Sequence, residues 1–262
     1  MSGEPAPRHG AAVPGAGTTV DAMTSTAPAV TTSVHARESQ SPLVLARLAA
    51  VAALITLAGG SFAGYVAGAL VVPGDAAATA GNIVASESLW RLGMVGGLIM
   101  MMAFLFYGVL LYELLAPVNR RQALIMLALV VASVPIYMLN AVNQFAVLRL
   151  ASDGLREQVG LYLDLHRFGN LVASIFFGLW LFPLGLLVYR SGFLPRFLGV
   201  LLILGSPGYV VLFVQAFFFP GAERTLWSPL LLVTHLAELS LLLWLLIKGV
   251  HVGRWEACRR AE

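Results

Sequence analysis

The chain has 262 residues, of which 59% are hydrophobic and only 11% are charged. Soluble domains carry roughly 25% charged residues, so this composition excludes an ordinary soluble protein. The formal net charge of +3 is small, and the basic residues fall in particular connections between apolar runs. That pattern is typical of membrane topology rather than of nucleic-acid binding, and no nucleic-acid partner is predicted.

The N-terminal segment differs in composition from the rest of the chain. Residues 1–41 are rich in Ala, Pro, Gly, Thr and Ser, without apolar periodicity, and predict a disordered low-complexity tail. A charged start followed closely by an apolar core is missing, so no signal peptide is predicted. Residues 42–252 are predicted to form one membrane domain, and residues 253–262 a short charged tail that holds the single cysteine, Cys258.

Six apolar runs in the membrane domain are long enough to cross a bilayer, which takes ~20 mainly apolar residues. Residues 76–88 predict a helical turn at the interface, and residues 149–165 predict the longest internal loop. The spacing of Gly60, Gly64 and Gly68 predicts close helix packing. Three prolines inside spans should kink them: Pro135, Pro183 and Pro207. The predicted fold class is an all-α polytopic transmembrane bundle of six helices, over residues 43–72, 89–116, 122–148, 166–189, 195–219 and 228–250.

The distribution of basic residues predicts the orientation of this bundle. Eleven of the sixteen Lys and Arg residues lie on the side of both termini, and five lie on the other side. The protein is predicted to lie in the cell membrane, and by the positive-inside rule both of its termini are predicted to be cytoplasmic. The connection between the second and third spans and the connection between the fourth and fifth spans lie on the same, basic side. An inverted repeat, as in many transporters, would place them on opposite sides, so it is disfavoured. The bilayer is the predicted partner, and the oligomeric state is left open.

Polar residues inside the spans lie mostly toward the outer end of the bundle and predict a polar pocket. An ionisable group in a bilayer is costly and usually has a partner or a function. His235 and Glu238 are the candidate catalytic residues. The predicted pocket also contains Glu87, Arg91, Asn140, Asn143, Gln144, Asp164, His166, Asn170 and Gln215.

Two groups of this pocket have a structural alternative. Glu87 and Arg91 are four residues apart, acid before base, which also favours a plain ion pair on one helix face. Asn140, Asn143 and Gln144 share a face of the third span. Such amides either bridge neighbouring helices by hydrogen bonds or line a wet cavity.

Glu238 carries the strongest functional hypothesis. It lies three residues after His235 and near the middle of the sixth span, where a lone carboxylate would be strongly desolvated unless paired. The candidate partners are His235, Arg91 and His166. The alternative is a buried, paired glutamate that only fixes helix packing.

Metal and protease chemistry were considered for the same residues. Asp164, His166, His235 and Glu238 would supply enough ligands for zinc or iron, but no recognised ligand spacing supports such a site. No metal or cofactor is therefore predicted. Ser206 with His235 resembles the serine–histidine dyad of rhomboid proteases only superficially, because the two residues are predicted in opposite halves of the membrane, beyond hydrogen-bond contact.

Several short stretches identify a family resemblance over about residues 43–255. They are PGDAAATA at 73–80 with Asn82, SESLWR at 86–91, PVNR at 117–120, FFG at 176–178, SGFLPRFLGV at 191–200, ELSL at 238–241 and LWLL at 243–246 with KGV at 248–250. With these motifs the chain resembles the bacterial membrane family known as domain of unknown function 4386. The resemblance implies six helices and a bacterial multi-pass protein, and it implies no activity.

Three functional hypotheses follow, and the sequence does not choose between them. The first is a membrane-embedded enzyme on a lipid or isoprenoid-like substrate, with Glu238 as general acid or base tuned by His235 or Arg91. The second is a small-solute transporter or binding subunit, with the proline kinks as hinges. The third is a structural or assembly subunit that docks through the glycine-spaced first helix.

Overall fold

The computed structural model describes residues 41–219 and 229–261. The tail predicted over residues 1–41 lies outside these ranges apart from Ser41, as does the predicted start of the sixth span at residue 228. The described residues form eleven α-helices and no strand. The helices are α1 Pro42–Leu70, α2 Ala76–Ala85, α3 Glu87–Leu115, α4 Arg120–Asn140, α5 Val142–Ser152, α6 Arg156–Leu179, α7 Leu181–Arg190, α8 Arg196–Gly205, α9 Pro207–Phe218, α10 Pro229–Ile247 and α11 Val252–Arg260.

Six helical stretches have the length and apolar composition that a bilayer crossing requires. They are Pro42–Leu70, Glu87–Leu115, Arg120–Ser152, Arg156–Arg190, Arg196–Phe218 and Pro229–Ile247. This arrangement confirms the predicted all-α bundle of six spans. The protein is a multi-pass membrane protein.

Three of the spans are interrupted within their length, at Ala141, Trp180 and Ser206. The break at Ser206 follows directly from Pro207, which has no N–H to offer the carbonyl of Ile203. The hydroxyl of Ser206 donates to that carbonyl at 2.9 Å and satisfies it locally. Breaks of this kind are tolerated in membrane helices where nearby groups take up the released hydrogen bonds.

The prediction of a long loop over residues 149–165 is wrong. Helix α5 continues to Ser152 and α6 begins at Arg156, so only three residues connect them. The charges of this stretch pair along helices, as Arg149 does with Asp153 at 2.9 Å. Its buried apolar side chains, Ala151 and Val159, belong to a cluster with α2. The region is therefore made of amphipathic helix, and the charged residues on its exposed face have the composition of a loop.

Helix α1 packs on α3 through glycines that are only partly those predicted. A Cβ at Gly59 would lie 2.7 Å from the carbonyl oxygen of Gly96, so the two backbones are in close contact. Gly60 lies against the sulfur of Met100, whereas Gly64 and Gly68 border open space. The close approach thus uses Gly59 and Gly60 rather than the whole predicted stripe.

Helix α11 closes one end of the bundle. The indole Nε1 of Trp255 donates to the carbonyl of Leu114 at 2.9 Å, at the end of α3. The guanidinium of Arg254 donates to the carbonyl of Gly192, between α7 and α8, at 3.0 Å. These contacts hold the C-terminal helix against the second-to-third and fourth-to-fifth connections, which therefore share one end. That end is called the α11 end below.

Candidate functional site

A cavity of about 470 Å³ lies between α1, α3, α9 and α10, beside the break that separates α6 from α7. Glu238 is the tenth of the nineteen residues of α10, about 14 Å from either end of that helix at 1.5 Å per residue. The cavity is thus at mid-span depth. Its lining is Ala53, Thr56, Leu57, Gly60, Ser61, Met100, Met101, Phe104, Tyr107, Phe177, Trp180, Tyr209, His235, Glu238, Leu239 and Leu242.

The Glu238 carboxylate has a phenol as its partner. The hydroxyl of Tyr209 donates to Glu238 Oε2 at 3.3 Å, which is long for an O–H···O bond. Among residues 41–219 and 229–261, no basic side chain forms an ion pair with it. The partners expected from the sequence, His235, Arg91 and His166, do not take this role, because Tyr209 enters from the kinked fifth span.

His235 lies one turn from Glu238 and its ring has a defined orientation. Its Nδ1 lies 2.8 Å from the carbonyl oxygen of Leu231, one turn back on α10. A carbonyl only accepts, so Nδ1 carries a proton, and in the neutral form of the ring Nε2 is an acceptor. The ring packs edge-to-face on Tyr209 at a centroid distance of 5.8 Å. His235 and Glu238 therefore line one cavity without bonding to each other.

Aromatic rings form a continuous series along the cavity wall. Phe104 packs edge-to-face on Phe177 at 5.5 Å and on Trp180 at 5.1 Å. Tyr107 packs on Trp180 at 5.8 Å, and Phe177 packs on Tyr209 at 6.3 Å. Such contacts are worth about 0.5–1.5 kcal/mol each beyond the burial of the rings. They hold the side chains around Glu238 in fixed positions.

Trp180 brings an unused hydrogen-bond donor to this wall. The residue sits at the break between α6 and α7 and is 2% exposed. Its Nε1 is the buried side-chain nitrogen or oxygen atom that has no hydrogen-bond partner within the described ranges. Buried polar groups are nearly always satisfied, so such a donor marks a place for a ligand or water oxygen.

Four lining residues are also exposed at the outside of the bundle. Leu57 and Ser61 belong to α1, and His235 and Leu239 belong to α10. The exposed fraction is 45% for Leu57 and 39% for Leu239. The cavity therefore opens sideways between α1 and α10, at the depth of the bilayer interior rather than at a loop end.

The predicted amides form a second, separate cluster. The side-chain nitrogen of Asn140 donates to the His166 carbonyl at 2.7 Å and to Asn170 Oδ1 at 3.0 Å. Asn143 donates to Asn140 Oδ1 at 2.9 Å. None of these residues lines the cavity. They bridge α4–α5 to α6, which is the helix-bridging alternative, and the expected single pocket is divided in two.

The remaining members of the predicted pocket lie away from the cavity. Glu87 and Arg91 form an exposed ion pair at 2.6 Å, and Asp164 lies 3.7 Å from Arg167 at the surface of α6. The backbone carbonyl of Gln144 accepts from the indole of Trp90 at 3.3 Å. Gln215 is half-buried on α9. Glu87 and Arg91 thus take the ion-pair alternative.

Metal and serine-protease geometry were checked in the same region. Within the described part of the chain, no three His, Cys, Asp or Glu side chains are close enough to hold a metal ion. Asp164, His166, His235 and Glu238 are split between the surface, the amide cluster and the cavity. Ser206 is buried and its hydroxyl is occupied by the Ile203 carbonyl, so it is not poised as a nucleophile toward His235.

Three aromatic residues with a polar group line the cavity and were not foreseen from the sequence: Tyr107, Trp180 and Tyr209. A usable signal existed, because Tyr and Trp concentrate at the two membrane interfaces, whereas these three lie well inside their spans. An aromatic residue with a polar tip at mid-span needs a hydrogen-bond partner there. That need points to Glu238 for Tyr209.

The comparisons with known proteins give a family and no activity. The chain matches the family described as Domain of unknown function (DUF4386) over residues 48–249. It is 36% identical over 88 residues to an uncharacterized protein of the archaeon Archaeoglobus fulgidus, covering 33% of this chain and 51% of that relative. The match thus spans about half the length of the relative. No solved structure matches. With an archaeal relative, the expected bacterial source stays a prediction.

Proposed function

The chain belongs to the family of domain of unknown function 4386, and we propose that this protein binds an amphipathic molecule of the bilayer in the cavity around Glu238. One observation carries the proposal. A carboxyl group lies at the middle of a membrane span, lines a cavity and, among the described residues, has one long hydrogen bond, to Tyr209. An ionisable group at that depth is costly and is retained mainly where it has a partner or a task.

The composition of the cavity wall supports an amphipathic ligand. Most of the lining is aliphatic or aromatic, and Glu238 lies beside two of the polar residues, Tyr209 and His235. Ligand sites in proteins share this pattern, in which apolar surface provides affinity and a few polar groups fix the orientation. A long apolar chain with one polar group matches both parts of the wall.

The lateral opening supports entry from the bilayer. Its rim combines the apolar Leu57 and Leu239 with the polar Ser61 and His235. Toward the α11 end, the spans are filled by fully buried apolar side chains, among them Leu111, Leu187 and Leu245. This packing supports binding from the side over passage of a solute through the bundle, and so weighs against the transporter hypothesis.

Acid–base catalysis on the bound molecule is a second candidate, which a specific observation favours. In its neutral form the His235 ring has Nε2 as a proton acceptor, in the same cavity as the Glu238–Tyr209 pair. Two groups that can donate or accept a proton in one cavity are what general acid–base catalysis needs. The amide cluster has no role in this proposal.

We place the protein in the cell membrane with the C-terminus in the cytoplasm. The support is the number of basic residues at the α11 end of the bundle. Nine described Lys and Arg residues belong to that end and four to the other, and basic residues favour the cytoplasmic side. The nine are Arg47, Arg120, Arg121, Arg190, Arg196, Lys248, Arg254, Arg259 and Arg260, and the four are Arg91, Arg149, Arg156 and Arg167.

The binding proposal is tested by extracting the lipids that copurify with the protein and identifying them by mass spectrometry. The test variants are Glu238→Gln, which removes the charge, and Ser61→Trp, which blocks the rim. Each has a matched control on an exposed position outside the cavity, Glu113→Gln on α3 and Ala58→Trp on α1. All five proteins are compared at equal yield and with equal gel-filtration profiles.

We expect one lipid class to copurify with the wild type and both controls, and to fall about tenfold or more in both test variants. Glu238→Gln removes the charged partner of the ligand, and a lost hydrogen bond to a charged group costs ~1.5–3 kcal/mol, whereas Ser61→Trp fills the opening with a large side chain. Equal recovery from all five proteins would contradict the proposal. Whole-cell extracts of the same strains separate the two candidates. A species that is made or consumed only when Glu238 is present supports catalysis, and unchanged extracts with retained binding support binding alone.

A further inference from the structure

The charges that line the cavity restrict the kind of polar group it can hold. Among the described residues that line the cavity, Glu238 is the acidic one, none is Lys or Arg, and His235 is the one that can become a cation. A phosphate or carboxylate without a positive charge beside it would meet the Glu238 carboxylate here in a poorly solvated site without a Lys or Arg partner among the described residues. A headgroup with a net negative charge is therefore disfavoured, which leaves neutral, zwitterionic and cationic ligands.

The Glu238 carboxylate also has hydrogen-bonding capacity to spare. An ionised carboxylate offers about four acceptor sites, and among the described residues one of them is used, by the hydroxyl of Tyr209 at 3.3 Å. A buried ionised group without a counter-charge is costly. A ligand that brings a positive charge would remove this cost, whereas a neutral alcohol would leave the charge unbalanced.

The aromatic wall supports a cation over a neutral group. Five aromatic residues line the cavity together with Glu238: Phe104, Tyr107, Phe177, Trp180 and Tyr209. Aromatic rings attract cations through their electron-rich faces, and a set of rings around a carboxylate is a recognition pattern for ammonium groups. Hydroxyl groups also line the cavity, at Thr56, Ser61, Tyr107 and Tyr209, so a neutral alcohol of equal chain length is the decisive competitor of the amine.

From these three observations we infer that the ligand is an amphipathic amine, whose ammonium group lies against Glu238 and the aromatic wall while its apolar chain extends toward α1 and α10. The inference rests on the proposed function and specifies its ligand class. The unpaired Nε1 of Trp180 adds one requirement. An ether, ester or hydroxyl oxygen near the ammonium group would accept this donor, as in an amino-alcohol headgroup.

The ammonium group can come from two sources, an aminophospholipid of the bilayer or a phosphate-free amine that partitions into it. The probe is labelled tetradecyltrimethylammonium, bound to the purified protein in dodecyl maltoside, with empty micelles as background. Competitors of equal chain length are tetradecanol, which is neutral, and tetradecyl sulfate, which is anionic. Phosphatidylethanolamine serves as the lipid source, and choline tests whether the apolar chain is needed.

We expect saturable binding of the probe that unlabelled amine displaces and that tetradecanol and tetradecyl sulfate do not. Displacement by phosphatidylethanolamine at lower concentration than by phosphate-free amine assigns the ligand to the bilayer lipids, and the reverse order assigns it to a separate amine. Both orders support the inference. Displacement by tetradecanol as effectively as by amine would overturn it.

Variants locate the probe at this site. Glu238→Gln should weaken binding about tenfold or more, and the matched Glu113→Gln should leave it unchanged. Tyr209→Phe and Tyr209→Leu both remove the hydroxyl that contacts Glu238, but only the Leu variant removes the ring. We expect the Leu variant to bind about 2- to 30-fold more weakly than the Phe variant, the range of one cation–π contact. Equal affinities of these two variants would overturn the inference that the ring of Tyr209 contacts the ammonium group.

The Tyr209 pair keeps the test decisive where Glu238→Gln does not fold. Failure of this inference is also distinguishable from failure of the proposed function. If a neutral lipid copurifies in a Glu238-dependent manner and the ammonium probe does not bind, the cavity binds amphipaths but the amine assignment is wrong. If neither a copurifying lipid nor a probe of any charge depends on Glu238 and Ser61, both proposals are wrong.

Discussion

The polar side chains between α4 and α6 use their hydrogen-bonding groups on one another. His166 Nδ1 lies 3.2 Å from the Asn140 carbonyl, and its Nε2 lies 3.1 Å from the side-chain nitrogen of Asn170. A single tautomer satisfies both contacts, with Nδ1 as donor and Nε2 as acceptor. Asn140 donates in turn to Asn170. The cluster is closed, so it holds two spans together and leaves little for a ligand.

This closure predicts that the cluster is energetically coupled. Asn140→Ala and Asn170→Ala should each lower the free energy of unfolding by about 0.6–2 kcal/mol, the range for hydrogen bonds between membrane helices. The double variant should lose less than the sum of the two by more than about 0.5 kcal/mol, because the two residues share one bond. Unfolding in mixed dodecyl sulfate and dodecyl maltoside micelles measures all four proteins.

The control cycle combines Asn140→Ala with Asn82→Ala. Asn82 lies on α2 and donates to the carbonyl of Leu70, the last residue of α1. Among the described residues it forms no hydrogen bond to the cluster. Its effect should add to that of Asn140→Ala within about 0.5 kcal/mol. Equal additivity in both cycles would show that the cluster does not act as a unit.

At the residue scale, the sequence alone predicted the carboxyl group of Glu238 inside a span but not the residues that surround it. Glu238 stands out because hydropathy alone shows a carboxyl at mid-span, which is a local property. Tyr209 reaches it from the fifth span, 29 positions away in sequence, and Trp180 reaches the cavity through a helix break. Contacts of this kind depend on how the spans pack, so neither periodicity nor residue type could reveal them.

At the scale of helices, α7 and α8 form the tightest hairpin of the α11 end. A Cβ at Gly199 would lie 2.6 Å from the backbone nitrogen of Tyr189 and 2.7 Å from the carbonyl oxygen of Gly185. A Cβ at Gly185 would lie 2.9 Å from the carbonyl oxygen of Gly199. Two glycines therefore face each other with no room for a methyl group, as in close pairs of membrane helices.

This contact predicts that Gly199→Ala is destabilising. The added methyl group meets backbone on both sides and cannot be relieved by a rotamer change, so we expect a loss of about 1–3 kcal/mol. Gly64→Ala on α1 is the matched control, because a Cβ there meets nothing within 4 Å and alanine favours the helix by up to about 1 kcal/mol. Thermal unfolding in detergent, followed by the loss of monodisperse protein, compares the two. A larger loss for Gly64→Ala would contradict the packing described here.

The helices themselves were largely predictable from the sequence, but one of their three interruptions was not. Six spans follow from apolar length, which is a local property of the chain. Two breaks lie close to prolines, at Trp180 before Pro183 and at Ser206 before Pro207. The third break, at Ala141, lies six residues after Pro135 and beside Asn140, whose side chain bonds to α6. Its position is therefore fixed by a tertiary contact.

At the scale of the whole molecule, the two ends of the bundle differ in charge and in architecture. Helix α11 and the basic connections lie at one end, held by the contacts of Trp255 and Arg254. Helix α2, the connection between α5 and α6, and two exposed ion pairs lie at the other. The cavity lies between these ends. The orientation of the bundle therefore decides which of these two ends faces the cytoplasm.

The charge difference predicts a definite result in a labelling experiment, because basic residues favour the cytoplasmic side. In a Cys258→Ala background, Asp153→Cys places a thiol in the short connection between α5 and α6, and Ala261→Cys places one just after α11. Both positions are exposed. A membrane-impermeant maleimide should label Asp153→Cys in intact cells and Ala261→Cys only after the cells are permeabilised. The opposite pattern would place α11 outside and invert the proposed orientation. Labelling of both thiols in intact cells would contradict a bundle whose connections alternate sides, because these positions are separated by three of the six spans.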